Sequence, residues 1–275
     1  MNEVLNKSTI AIPNLSNKDG FPVVVVTHPR SGTHLTIDLL RRNFQQLKST
    51  KPRFAPLDAL YVALDVFFLE NTSVSAQKRA IAGLSRHRYP IIKSHWVDPD
   101  YLSLAREYQP VADWLRERGR VIYVVRNPES VLASTFLFEQ GFLNISAPSN
   151  RSGWLLSKAA YWVKHVTKWT SQEQVLVLRF EDIVKETNRH LEKIGEFLDL
   201  SVNPCVPPLP PRMNGKWAGR LSRLRTNPPT TEILNQHGRT TLDKLFDPAA
   251  VSDCHAMIAE TAAKFGYDRQ PLTGS

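Results

Sequence analysis

Val23-Val24-Val25-Val26-Thr27-His28-Pro29-Arg30-Ser31-Gly32-Thr33-His34-Leu35 changes its local pattern twice within a few residues. The run from Val23 to Thr27 is β-branched throughout, with no polar alternation, which predicts a strand covered on both faces, as in a parallel sheet. Pro29 and Gly32 then interrupt it. From Thr33 onward, Leu35, Leu39, Leu40, Phe44 and Leu47 fall mostly three to five apart, so a helix with one apolar stripe is predicted. Strand, tight loop and helix in this order make one βα unit, and its loop lies at the carboxyl end of a strand, where open α/β sheets bind ligands.

The arrangement recurs. Val121-Ile122-Tyr123-Val124-Val125 reads as a second buried strand, Arg126-Asn127-Pro128-Glu129 as its loop, and a helix follows from about Ser130, with Pro128 suited to the first turn. Between the two units, Tyr61–Leu69 and Ala105–Arg118 read as helices and Ile91-Ile92-Lys93 as a short strand. Beyond them come an amphipathic helix (Leu155, Ala159, Trp162, Val163, Val166, Trp169), a strand at Val175–Leu178 and a helix carrying Leu191, Ile194, Phe197 and Leu198. A last helix, Pro248–Phe265, stops before Gly266. The expected class is α/β: a single domain over residues 21–270 with a central parallel β-sheet flanked by helices, preceded by an extension at 1–20. The Pro- and Arg-rich segment 204–240 reads as a covering loop.

With 275 residues and 42% hydrophobic composition, one large domain is the simplest organisation. Lys and Arg number 35 against 26 Asp and Glu, a formal charge of +9 that calls for an anionic partner: nucleic acid, an acidic membrane or a phosphorylated small molecule. Cys205 and Cys254 are far apart and fit no C-x-x-C spacing, which argues against a disulfide scaffold or a cysteine-rich metal site and fits a reducing, cytoplasmic setting. Met1–Ser16 holds Glu3 and Pro13 and lacks the apolar core of a secretory signal. The apolar stretch Leu60–Leu69 is interrupted by Asp65 and falls short of the roughly 20 residues that span a bilayer. A soluble protein is expected.

Between a buried strand and a helix start, the loop Pro29–Leu35 offers unpaired backbone N–H groups backed by the helix dipole, with hydroxyls at Ser31 and Thr33; a phosphate is the expected guest. The pattern G-x-x-x-x-G-K-[ST] of nucleotide triphosphatases is absent.

Pro29-Arg30-Ser31-Gly32-Thr33 resembles the P-loop-like phosphosulfate loop of sulfotransferases that use 3′-phosphoadenosine 5′-phosphosulfate (PAPS, with PAP as product), commonly Pro-Lys-Ser-Gly-Thr-Thr. Val121–Ser134 is similar to that family's 3′-phosphate motif, in which a strand ends in Arg-Asn-Pro and a Ser follows on the helix. Pro90-Ile91-Ile92-Lys93-Ser94-His95 resembles its short strand ending Lys-Thr-His, whose His is the general base. Val177–Asp182 resembles its strand ending Tyr-Glu-Asp, where the aromatic lies near the adenine. The resemblance implies cofactor contacts from Arg30, Ser31, Gly32, Thr33, His34, Leu35, Arg126, Ser134 and Phe180, with core packing equally open to Phe180. It further implies catalysis by His95, with Arg30 and Lys93 stabilising charge, and it calls for no metal. For a base, a pKa near neutrality is expected. His28 and His34 are lesser candidates.

The match runs over Pro22–Leu200 and then departs. The family's C-terminal phosphate loop is not present as such; Asn227–Gln236 resembles the segment before it, which makes Gly238 and Arg239 the candidates there, with Arg220, Arg223 and Arg225 as competitors. Leu35 stands where the family has a stacking Trp. Arg30 replaces a Lys, keeping the charge on a planar fork that does not readily give up its proton. The family's dimer motif is not recognisable, leaving monomer and homodimer both open. The resemblance implies transfer of a sulfuryl group to a hydroxyl or amine of a small organic acceptor, received by loops around Ser49–Phe68, Leu137–Trp154 and the region after Pro204. Asp58, Asp65, Glu70 and Glu139 are acidic candidates on or beside those loops. The competing readings are a magnesium-dependent kinase on a similar scaffold and a basic nucleic-acid-binding protein using Arg212–Arg225 with Trp217.

Overall fold

The computed structural model describes Leu15 and residues 20–47, 61–67, 74–141, 143–203 and 241–267. Five strands among these form one sheet: β1 (Val23–Thr27), β2 (Val62–Ala63), β3 (Ile91–Ser94), β4 (Arg120–Val125) and β5 (Val175–Arg179), in the spatial order β2-β3-β1-β4-β5 with every pair parallel. The helices are α1 (Thr33–Asn43), α2 (Val74–Arg86), α3 (Leu102–Arg118), α4 (Pro128–Gly141), α5 (Arg151–Thr170), α6 (Phe180–Lys185), α7 (Thr187–Leu198) and α8 (Pro248–Ala263).

Side chains alternate across each strand, yet both faces are apolar. Val24, Val26, Tyr123 and Val125 join one core cluster with Trp162, Trp169 and Cys254. Val23, Val25, Ile122 and Val124 join another with Ile37, Leu40, Phe180 and Leu191. All four valines of β1 are fully buried, each contributing about 1.5–3 kcal/mol relative to exposure, which is why this strand sits at the sheet's centre.

The expected α/β class and central parallel sheet are found, with three departures in detail. Tyr61–Leu69 does not begin as a helix: Val62 and Ala63 pair with Ile92 and Lys93 as an edge strand, and a 3₁₀ turn follows at Leu64–Phe67. Ladder bonds to β3 and burial of Val62 and Leu64 outweigh the local helical pattern. The helix expected at Ala105–Arg118 begins earlier and is broken at Tyr108 (φ −132°, ψ 46°), just ahead of Pro110, whose ring and missing N–H disrupt the helix there. Helix α2 stands where no element was expected. Segment 204–240, including Gly238, Arg239 and the other arginine candidates, lies outside the described residues.

After β1 the chain travels to β2 and β3 on one side of the sheet, then crosses to β4 on the other. The carboxyl ends of β3, β1 and β4 therefore lie side by side at the point where the strand order reverses. Lys93 and His95, Pro29 to Gly32, and Arg126 and Asn127 all emerge there.

Candidate active site

The loop after β1 is shaped by two left-handed residues, Arg30 (φ 71°) and Gly32 (φ 97°). Ser31 N–H donates to the His28 carbonyl at 3.1 Å, and the Gly32 carbonyl receives both the Thr36 N–H (3.0 Å) and its hydroxyl (3.1 Å). Gly32 occupies the N-cap of α1, where a side chain would otherwise cap the helix, so the first turn keeps its N–H groups uncapped by side chains. Glycine is required twice over. Its φ is left-handed, and a Cβ would lie 2.4 Å from the Phe180 ring. Ser31 Oγ is buried with no hydrogen-bond partner among the described residues. An orphaned hydroxyl beside uncapped N–H groups fits an anion, and the donor set suits a phosphate.

The second motif converges on the same loop. Arg30 Nε donates to Ser134 Oγ at 3.2 Å, and the Arg30 guanidinium lies 4.3 Å from the Phe138 ring centroid. Arg126, only 5% exposed, donates to the Arg30 carbonyl at 3.0 Å and stacks 4.5 Å from the Phe180 ring centroid. Burial pushes its pKa down to about 10, against the pull of Glu181, so the guanidinium remains charged at neutral pH. Phe180 is 3% exposed and forms the floor beneath Gly32 and Arg126.

His95 leaves β3 beside β1. Its Nδ1 lies 2.8 Å from the Thr27 carbonyl, an acceptor only, so Nδ1 carries the proton and Nε2 presents a lone pair. Burial, then the charge of Lys93, pushes the His95 pKa down to about 4, and Arg30 adds to the fall. The near-neutral value expected from the sequence is thus corrected, because the ring is buried among cations. The imidazole is neutral throughout the physiological range. Its backbone is held from three sides. His95 N–H donates to Asp65 Oδ1 (3.3 Å), while its carbonyl accepts from His165 Nε2 (3.2 Å) and Tyr161 Oη (3.4 Å). Tyr123 lies 3.0 Å from His165 Nδ1, completing a buried relay of polar contacts.

His34 is exposed and pairs with Tyr61, its Nε2 3.1 Å from the hydroxyl. Leu35 packs against the apolar cluster under α1. Lys93 Nζ lies 5.9 Å from the Tyr61 ring centroid. Thr33 Oγ1 is 2.6 Å from Thr27 Oγ1, within the loop it was expected to serve. His28 is buried, with Nδ1 on the Pro29 carbonyl (2.9 Å) and burial holding its pKa near 4. Glu139 is engaged by Trp154 Nε1 (3.0 Å) and Lys158 Nζ (2.8 Å).

Nothing in the sequence pattern marks His165, Tyr161 or Glu181 as functional. His165 and Tyr161 were masked by a strong amphipathic pattern; the one available signal was a histidine on a buried helical face. Asp65 had such a signal too, as a carboxylate inside an apolar run.

The family description "Sulfotransferase domain" matches residues 22–211. The 3-alpha-hydroxysteroid sulfotransferase of Cavia porcellus is 34% identical over 96 residues, covering 32% of this chain and 33% of the relative. Its 3-beta-hydroxysteroid sulfotransferase is 26% identical over 190 residues, covering 66% of this chain and 60% of the relative. The matches thus span between 33% and 60% of these curated relatives' lengths. The structure of a mouse sulfotransferase, SULT7A1, complexed with PAP superposes with a TM-score of 0.52 at 16% identity, over 92% of this chain and 89% of that one, and so shares the fold. With the matched region taking in all five strands and each of the loops that meet at their carboxyl ends, the chain belongs to the sulfotransferase family.

Proposed function

We propose that the chain is a PAPS-dependent sulfotransferase that modifies a hydroxyl or amine of a small organic acceptor. The observation that carries this reading is the convergence of Arg30, Ser134, Arg126 and the orphaned Ser31 hydroxyl on one uncapped helix start, with the neutral His95 ring on the adjacent strand end. When bound, PAPS supplies the sulfuryl group and a phosphate leaving group. Ser31, Thr33 and the loop N–H groups hold the 5′ end, and Arg126 with Ser134 holds the 3′-phosphate. Arg30 stays protonated and acts as a fixed charge rather than as an acid. His95 Nε2 takes the proton from the acceptor oxygen or nitrogen as that atom becomes the nucleophile. The Nδ1–H bond to Thr27 steadies the cation that results. Lys93 and Arg30 oppose that cation, which keeps the ring unprotonated until the reaction supplies the proton.

A cytoplasmic setting belongs to the same proposal, supported by Cys254 as a buried free thiol. Among the described residues, no helix is long and apolar enough to cross a membrane.

The test has two arms. Thermal stabilisation by adenosine 3′,5′-bisphosphate without magnesium is expected; stabilisation only by ATP with magnesium, or only by single-stranded DNA, would favour the competing readings. Turnover of labelled PAPS across phenols, amines and hydroxysteroids should fall about 10²–10⁴-fold in His95→Ala while bisphosphate affinity is kept. Arg126→Ala should weaken that affinity by about 1.5–3 kcal/mol. Retained turnover would remove His95 from the mechanism, and equal affinity would remove Arg126.

A further inference from the structure

The Glu181 charge opposes the loss of charge on the buried Arg126 guanidinium, yet neither carboxylate oxygen is spent on that guanidinium. Each Glu181 oxygen is occupied elsewhere. Oε1 accepts the Asn127 N–H at 3.0 Å, and Oε2 accepts the Tyr267 hydroxyl at 2.8 Å. Tyr267 follows the end of α8, where Gly266 takes a left-handed turn (φ 68°) and the Tyr267 N–H closes on the Ala262 carbonyl at 3.1 Å. The Arg179 guanidinium covers the Tyr267 ring, 4.7 Å from its centroid, and reaches Asp182 at 3.6 Å. The phenol is thereby wedged between the exits of β4 and β5, with its hydroxyl also 3.4 Å from the Val125 carbonyl.

An arginine that is to bind phosphate is compromised by a free carboxylate nearby, because that carboxylate competes for the same N–H fork. Here the carboxylate is kept as a counter-charge without becoming a ligand. We infer that Tyr267 is a positioning residue that holds Glu181 off the Arg126 guanidinium, and so sets the affinity of this site for a 3′-phosphate. The inference rests on the reading of Arg126 as the 3′-phosphate ligand. Tyr267 acts through Glu181 and not by contact with nucleotide or acceptor.

The experiment compares calorimetric affinities for adenosine 3′,5′-bisphosphate and adenosine 5′-monophosphate in the parent, Tyr267→Phe, Glu181→Gln and the double variant. Tyr267→Phe keeps the ring beneath the Arg179 guanidinium but loses the hydroxyl, and with it the contacts of that oxygen with Glu181 and Arg179; the Glu181→Gln background separates the two. Freed on one oxygen, Glu181 turns to Arg126, and bisphosphate affinity should fall about tenfold with monophosphate affinity unchanged. In the Glu181→Gln background there is no charge to release, so adding Tyr267→Phe should change neither affinity. A Tyr267→Phe protein that discriminates the two ligands as well as the parent overturns the inference and leaves the cofactor reading intact. Equal loss for both ligands, or the same loss with and without the Glu181 charge, also overturns it, since a general loosening would act that way. A parent protein that binds the two nucleotides equally defeats the cofactor reading and the inference with it.

Discussion

Lowering the pH from 7 to 5 should strip this protein of a large part of its stability, because three histidines are buried in neutral form around the site. His28 and His95 are pushed down to about 4 and His165 to about 3, burial being the first cause in each. In the unfolded chain they titrate near ~6.5. Below that value the unfolded state binds protons that the folded state refuses, so their stabilising contribution is complete above pH ~6.5 and declines as pH falls toward the folded values. At pH 5 each ring has cost about 2 kcal/mol, and the three together about 6 kcal/mol. That is comparable with the ~5–15 kcal/mol by which a typical domain is stable. Burial raises the Asp65 pKa, so its proton uptake in the folded state opposes the histidine slope from one site against three. Urea unfolding at half-unit steps between pH 7 and 5 gives the slope directly. His28→Phe, which fills the same buried place without a titrating group, should remove about a third of that slope. Stability that is flat across the window would show that these rings are not held neutral, and an unchanged slope in His28→Phe would exclude His28.

Two further outcomes follow from the loop and the base. Gly32→Ala forces a methyl group to 2.4 Å from Phe180 at a left-handed φ, and strain plus overpacking should cost about 2–4 kcal/mol, read as a lower urea midpoint; a midpoint equal to the parent's would mean the ring yields freely. With the free-enzyme His95 held near 4, kcat/KM should show no acid limb between pH 7.5 and 5.5 while the protein stays folded, whereas a limb centred near ~6.5 would assign the base to a histidine of ordinary pKa.

The residues that bring the cofactor reading were visible in order along the chain, because strand–loop–helix punctuation is local. Four valines followed by Pro29 and Gly32 commit the backbone to a buried strand and a tight loop whatever surrounds them. The motifs at Arg126 and His95 were legible for the same reason. What keeps those groups usable was not. His165 meets His95 from 70 positions away, and Tyr267 meets Glu181 from 86. Neither pairing leaves a periodic trace, since each depends on which helix lies over which strand end. Likewise, the His95 pKa is set by burial and by Lys93 and Arg30, which become its neighbours only when β1 and β3 pair. Local backbone preference determined where the chemical groups stand along the chain; packing of distant elements decided their protonation, their orientation and which of them remain free to bind an anion, because desolvation and hydrogen bonding act through space and not along sequence.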